Sequence, residues 1–177
     1  MKLSLEDAKH ILRSRKTLIQ ISAWEHKTRG ASELQCAFQC RVMLDGAMPR
    51  GLWFRCTTFP RFPNTASFQL ECDIPGNRSH LPLYRLDWHP LSPHPNGDFG
   101  PSCLRGSYMD VGQTHEHICV YHADLKKREI RAGGVQTAAV ITPDFGDFND
   151  ALRYVCDTLK IGNLGDIPPQ KSQGTLV

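Results

Sequence analysis

Six of the eight histidines fall between residues 80 and 122: His80, His89, His94, His115, His117 and His122, with only His10 and His26 elsewhere. Imidazole changes charge near neutral pH and is the commonest metal ligand, so this crowding points a search for chemistry to one stretch. Its sharpest part is Thr114-His-Glu-His-Ile-Cys-Val-Tyr-His122. On a strand, His115, His117, Cys119 and Tyr121 share one face, and Glu116, Ile118, Val120 and His122 share the other. Two histidines at i and i+2 stand close enough to ligate one ion. A third ligand must come from elsewhere, and His89, His94 and Asp87 are the candidates on the preceding strand and loop. A catalytic zinc site uses three protein ligands and an open water position, and iron accepts a similar nitrogen and oxygen set.

Three readings of this strand are open. In the first, the histidines hydrogen-bond across a sheet and hold down the long loop from 89 to 112. In the second, His115 and His117 bind zinc or iron. In the third, a neutral histidine acts as general base on RNA or another phosphate ester, with Arg85 or Lys126 stabilising the developing charge. Arg85-x-Asp87 would share a strand face, where a salt bridge between neighbours is the simplest expectation. Histidine-triad nucleotide hydrolases alternate His with apolar residues three times; Glu116 and Cys119 break that pattern. The chain has no Gly-x-Ser-x-Gly and no phosphate-binding glycine loop followed by Lys-Ser or Lys-Thr. The basic run Lys126-Lys127-Arg128 with Arg131 reads as a solvated hairpin end, with nucleic-acid contact as its alternative.

The elements that must position these residues follow from patterning. Ser4-x-x-Asp7 resembles a capping box, followed by Leu5, Ala8, Ile11 and Leu12 at helical spacing. Thr17 to Glu25 has strand composition. From Leu34 to Leu44 apolar and polar residues alternate, Asp45-Gly46 starts a turn, and Leu52 to Phe59 returns. Ala66 to Ile74 alternates again, Pro75-Gly76-Asn77 turns, and Leu81 to Trp88 is a fifth strand. The run from His89 to Gly112 is irregular and proline-rich, a length that marks function or mobility. His115 to His122 and Val135 to Thr142 read as strands, and Gly133-Gly134 as a turn. Phe148, Leu152, Val155, Cys156 and Leu159 recur at helical spacing, with Asp147 as N-cap and Gly162 near the stop.

The pattern predicts an α+β fold: a single antiparallel, meander-like sheet of about five to seven strands flanked by an N-terminal and a C-terminal helix. Residues 1–165 are expected to form one domain and 166–177 a disordered tail. At 177 residues the chain holds one proper core. A net charge of +3 permits nucleic-acid contact without implying it. No apolar run reaches the roughly 18 residues that span a bilayer. The acidic start of the chain argues against a signal peptide, and seven cysteines without a Cys-x-x-Cys read as reduced packing residues, so a cytoplasmic location is expected.

Arg85-Leu86-Asp87, His94-Pro95-Asn96-Gly97 and Thr114-His115-x-His117 with Tyr121 together resemble small uncharacterised proteins of phages and mobile elements. Those carry Arg-Leu-Asp, a His-x-Asn-Pro-type loop and a His-x-His-x-Tyr strand in that order. The match covers about a quarter of the chain, with Pro95-Asn96 in place of Asn-Pro and Tyr121 two places late. The resemblance implies a genomic setting in which small proteins act against host defences, within toxin–antitoxin pairs or on phage–host partners. It brings no activity. The leading expectation is therefore a non-enzymatic protein that engages a host protein and carries no cofactor. The alternative is a metal-dependent or histidine-based hydrolase acting on a phosphate ester or RNA. A nucleic-acid-binding module using the basic face of the first helix and the 126–131 run is the third class.

Overall fold

The structure is a computed structural model describing residues 3–29, 33–49, 51–74, 80–130 and 135–169. It opens with helix α1 (Leu5–Arg13), whose Ser4 side chain accepts from the Asp7 amide as the capping pattern requires. Strands β1 (Lys16–Ile19) and β2 (Glu25–Arg29) follow, then the long β3 (Glu33–Leu44), β4 (Leu52–Phe59), β5 (Phe62–Asp73) and β6 (His80–Trp88). The short strands β7 (His94–Pro95) and β8 (Tyr108–Met109) pair with each other. After β9 (His115–Ile118) come a hairpin of β10 (Ala123–Asp124) and β11 (Glu129–Ile130), then β12 (Ala138–Val140) and helix α2 (Phe148–Leu159).

Eight strands form one sheet in the order β1-β3-β4-β5-β6-β9-β12, with β2 beside β1 along the same long β3. Every pairing is antiparallel. This is the expected α+β meander, with eight strands because two short ones share one edge. Asp45 and Gly46 both take positive φ (46° and 83°), the turn geometry whose twist suits a hairpin.

The alternation of β3, β4, β5 and β6 sends Phe38, Phe54, Phe68 and Leu86 to one face, where all are fully buried. Both helices pack on that face. Phe148 of α2 lies 5.4 Å from Phe68, and Leu5 and Ala8 of α1 join the same core. The opposite face carries Arg55, Gln69, Arg85 and His117, which register places directly across from one another on successive strands. One face is therefore greasy and roofed by helices. The other is polar.

Several expectations change. Thr17 to Glu25 is not one strand: Gln20 takes φ 52°, and Trp24 turns inward to meet Phe38 edge-on at 4.8 Å. The strand expected from His115 to His122 stops at Ile118, and Cys119–His122 form a 3-10 turn. Cys119 and Tyr121 thus do not share the histidine face, and Cys119 is buried in the core. The strand expected over Val135 to Thr142 shrinks to Ala138–Val140. Helix α2 ends at Leu159 with Lys160 in the left-handed conformation, so Gly162 does lie near the stop. Residues 164–166 form a 3-10 turn and Ile167 is buried, so the ordered domain extends into the expected tail. The turns expected at Pro75-Gly76-Asn77 and Gly133-Gly134, and residues 170–177, lie outside the described residues.

Candidate metal centre

The site grows from the pairing of β6 with β9. Register sets Asp87 opposite His115 and Arg85 opposite His117, all four on the polar face. One end of this face is covered by the 89–112 segment, which leaves a cavity of about 110 Å³ lined by Arg85, Asp87, Pro90, Ser92, Pro93, His94, His115, His117 and Val135. Asp87, His115 and His117 are all buried, and one ligand atom from each lies within 4.8 Å of the others.

Asp87 Oδ2 stands 3.6 Å from His115 Nε2 and 3.5 Å from His117 Nε2. These separations are too long for good hydrogen bonds. They match the edge of a tetrahedron around an ion held at 2.0–2.1 Å, which is about 3.3 Å. His115 Nδ1 lies 2.8 Å from the Gln113 carbonyl, which can only accept. In the neutral ring the proton therefore sits on Nδ1, and a bare Nε2 lone pair faces the carboxylate. Two acceptors brought together in a buried site repel unless a metal ion, or a second proton on the ring, lies between them. A metal-ligating histidine commonly donates its other nitrogen to a carbonyl in just this way.

Burial alone would raise the Asp87 carboxyl, but the two facing imidazoles and the Arg85 guanidinium outweigh it and hold it well below the usual carboxylate range. Burial pushes the His117 imidazole down despite the attraction of Asp87, with His115 and Arg85 acting in the same direction. The carboxylate is charged and His117 neutral near pH 7, the forms that bind metal. His117 Nδ1 is buried without a hydrogen-bond partner among the described residues.

Arg85 is tied to this centre through its Nε, which donates to Asp87 Oδ1 at 2.8 Å. The expected neighbour salt bridge exists, and it orients the carboxylate. The Arg85 side chain remains 43% exposed at the cavity rim. His94 lies in the same cavity, stacked on His115 (5.5 Å) and edge-on to His117 (4.8 Å). Its Nε2 gives its proton to the Gln136 carbonyl at 2.6 Å, so in the neutral ring Nδ1 carries the lone pair.

The other sequence candidates lie elsewhere. His89 takes φ 45°, stacks on Trp88 and pairs with Asp144 at 2.7 Å, outside the cavity. Lys126 and Lys127 sit in the β10–β11 turn, where their amides bond Asp124, and Arg128 reaches Glu6 of α1. That turn is stitched to the start of α1 by Leu5 N–H to Arg128 O and Ile130 N–H to Leu3 O. Lys126 is thus not placed to serve the histidines. Arg131 lies outside the described residues.

Asn96 escaped the sequence reading. It is buried, and the two protons of its Nδ2 are shared among Leu104 O, Ser107 Oγ and Ala138 O while its Oδ1 accepts from Ala138 N–H. This one side chain ties the 89–112 segment to the sheet edge beside the cavity. The sequence marks Asn96 only through the turn signal Pro95-Asn96-Gly97 and the loop match His94-Pro95-Asn96-Gly97, neither of which assigns it a role. Comparison with known proteins adds nothing to this picture: no family model matches the chain, and no curated protein or solved structure is similar to it.

Proposed function

We propose that Asp87, His115 and His117 hold one divalent transition metal, zinc or iron, and that the protein is a metal-dependent hydrolase acting on a phosphate ester. The observation that carries this is the bare His115 Nε2 facing Asp87 Oδ2 at 3.6 Å in a buried site. A structural hydrogen-bond network would put a donor between these atoms. Three protein ligands leave a position open toward the cavity, where a metal supplies an activated water.

The chain's own residues fit the remaining tasks. Arg85 fixes Asp87 through Nε and presents its Nη groups at the rim, where a phosphoryl oxygen gaining charge would be stabilised. His94, whose Nδ1 carries the lone pair in the neutral ring, is the group that can hold or deliver a proton beside the ligands. The proline-rich segment from Pro90 to Pro93 walls the cavity and limits water. The test is hydrolysis of bis-p-nitrophenyl phosphate by untagged protein with and without added zinc, manganese or ferrous iron. Metal-dependent turnover that Arg85→Lys reduces more than tenfold is expected. Metal binding without turnover on any phosphate ester would leave the centre but overturn the activity.

A second reading retains the interaction protein, which engages a host protein in a phage or mobile-element setting. The observation favouring it is the exposure of Leu91, Tyr108 and Val111 on the segment that covers the site. Apolar side chains gathered on one loop mark contact surfaces. Loss of partner capture on Val111→Asp with the metal retained would favour this reading.

A further inference from the structure

The polar face of the sheet does not end at the cavity. Register places Gln39, Arg55, Gln69, Arg85 and His117 in one row across β3, β4, β5, β6 and β9, and Arg41 opposite Trp53 in the adjacent row. Four inter-strand steps of about 4.8 Å carry this row about 19 Å, from the β3 side to the metal ligands. Neither helix covers it.

Charge on this face is layered. Glu71 is almost fully buried and is held by Arg55 Nη2 at 2.8 Å and by Gln69 Nε2 at 2.9 Å. Asp87 lies equally deep beneath Arg85. Arg55 and Arg85 are each more than a third exposed above their carboxylates. A guanidinium has five N–H donors; Arg85 spends its Nε–H on Asp87, and Arg55 meets Glu71 as an ion pair. Arg41 stacks its guanidinium 5.4 Å from the Trp53 ring, and its buried Nε has no hydrogen-bond partner among the described residues. Trp53 Nε1 is held by Asp73, which also pairs with His80 at the sheet margin. Glu25 stands on the same face at the far edge. The acids are sunk or marginal, and the arginines form the outer layer.

We propose that this face is the track along which single-stranded nucleic acid reaches the metal centre. Arg41, Arg55 and Arg85 contact successive phosphates, and Trp53 serves as a stacking platform for a base. A row of cations interleaved with an aromatic on an open sheet is how proteins hold single strands without reading sequence. This deepens the phosphate-ester reading of the Asp87, His115 and His117 centre and rests on it. It also moves the nucleic-acid contact away from the 126–131 turn.

The test is fluorescence anisotropy with a fluorescein-labelled 2′-O-methyl RNA ten-mer, which resists cleavage, on the metal-loaded protein. Salt-dependent binding is expected, weakened at least fivefold by Arg41→Ala and by Trp53→Ala, and unchanged by Lys126→Ala with Lys127→Ala. Because Arg55→Ala would strand Glu71, the pair is removed together as Arg55→Gln with Glu71→Gln, with the same weakening expected. Metal content is measured on every variant and should stay at the wild-type value. No binding, or equal binding by Arg41→Ala and Trp53→Ala, overturns the track even where the metal is retained. Equal competition by a poly-glutamate peptide would show a general anion surface and overturn it too. Loss of metal in the wild-type protein itself would instead strike the reading beneath.

Discussion

Asp87 and His115 are directly opposed on β6 and β9, with a carboxylate oxygen and an imidazole nitrogen 3.6 Å apart. The Gln113 carbonyl fixes the imidazole tautomer, so the facing nitrogen carries no proton in the neutral ring. In that tautomer the relationship is one of two acceptors, which a shared metal ion, or a second proton on the ring, makes favourable.

His115→Ala and His117→Ala should each reduce bound metal to less than about a tenth of an equivalent, since two remaining ligands hold an ion poorly. The apo variants should still fold, at a cost of about 1–3 kcal/mol for truncating a buried polar side chain. Elemental analysis and urea unfolding read the two effects separately. Full metal retention in both variants would place the ion elsewhere.

Asn96→Ala removes the two hydrogen bonds that join the covering segment to β12 at Ala138, together with the contacts to Leu104 and Ser107 that brace the segment itself. Leaving the Ala138 amide and carbonyl without their partner should cost about 3 kcal/mol. Hydrogen exchange at Ala138 should accelerate as the segment lifts. A change under 0.5 kcal/mol, taking about that value as the range of an ordinary surface substitution, would mean the clamp is not structural.

Lys16 is buried where the C-terminal ends of α1 and α2 meet, donating to Leu12 O, Ser14 O and Leu159 O. Burial pushes its ammonium down to about 8, against the pull of Asp45. In the unfolded chain a lysine titrates near 10.4, so between these values the unfolded state binds a proton that the folded state lacks. The cost of burying the charge is present in full below pH 8 and is relieved as pH rises toward 10.5. Wild type should gain up to about 3 kcal/mol relative to Lys16→Met across that window. Parallel stability curves would show that the three carbonyls keep the lysine charged.

All seven cysteines are free thiols, and Cys103 is the exposed one. Burial raises Cys40, Cys119 and Cys156 to about 12 and Cys72 to about 11, and drives Cys56 well up. Thiolate is the reactive form, so these should stay unmodified at pH 8. A disulfide-exchange dye should label one thiol rapidly in the folded protein and seven after denaturation. Fewer than seven on denaturation would reveal disulfides.

The meander was legible because β3, β4 and β5 alternate strictly, and a period of two fixes which residues face the core. The helix caps at Ser4 and Asp147 were legible for the same local reason. What could not be read was contact between distant segments. Asp87 and His117 are thirty residues apart, and nothing local says that β6 pairs with β9. His89, His94 and Asp87 were equal candidates in the sequence. The left-handed turn at His89 sends its ring to Asp144, while the strand keeps Asp87 facing inward. Asn96 stayed hidden because its partners come from Leu104, Ser107 and Ala138, each placed by tertiary structure.

A metal shared by Asp87, His115 and His117 is the central claim, and calorimetric titration of zinc into chelator-stripped, untagged protein tests it most directly. It predicts one saturable site per chain, abolished in the Asp87→Asn and His117→Ala variants. No saturable binding, or a site that survives both substitutions, would contradict it.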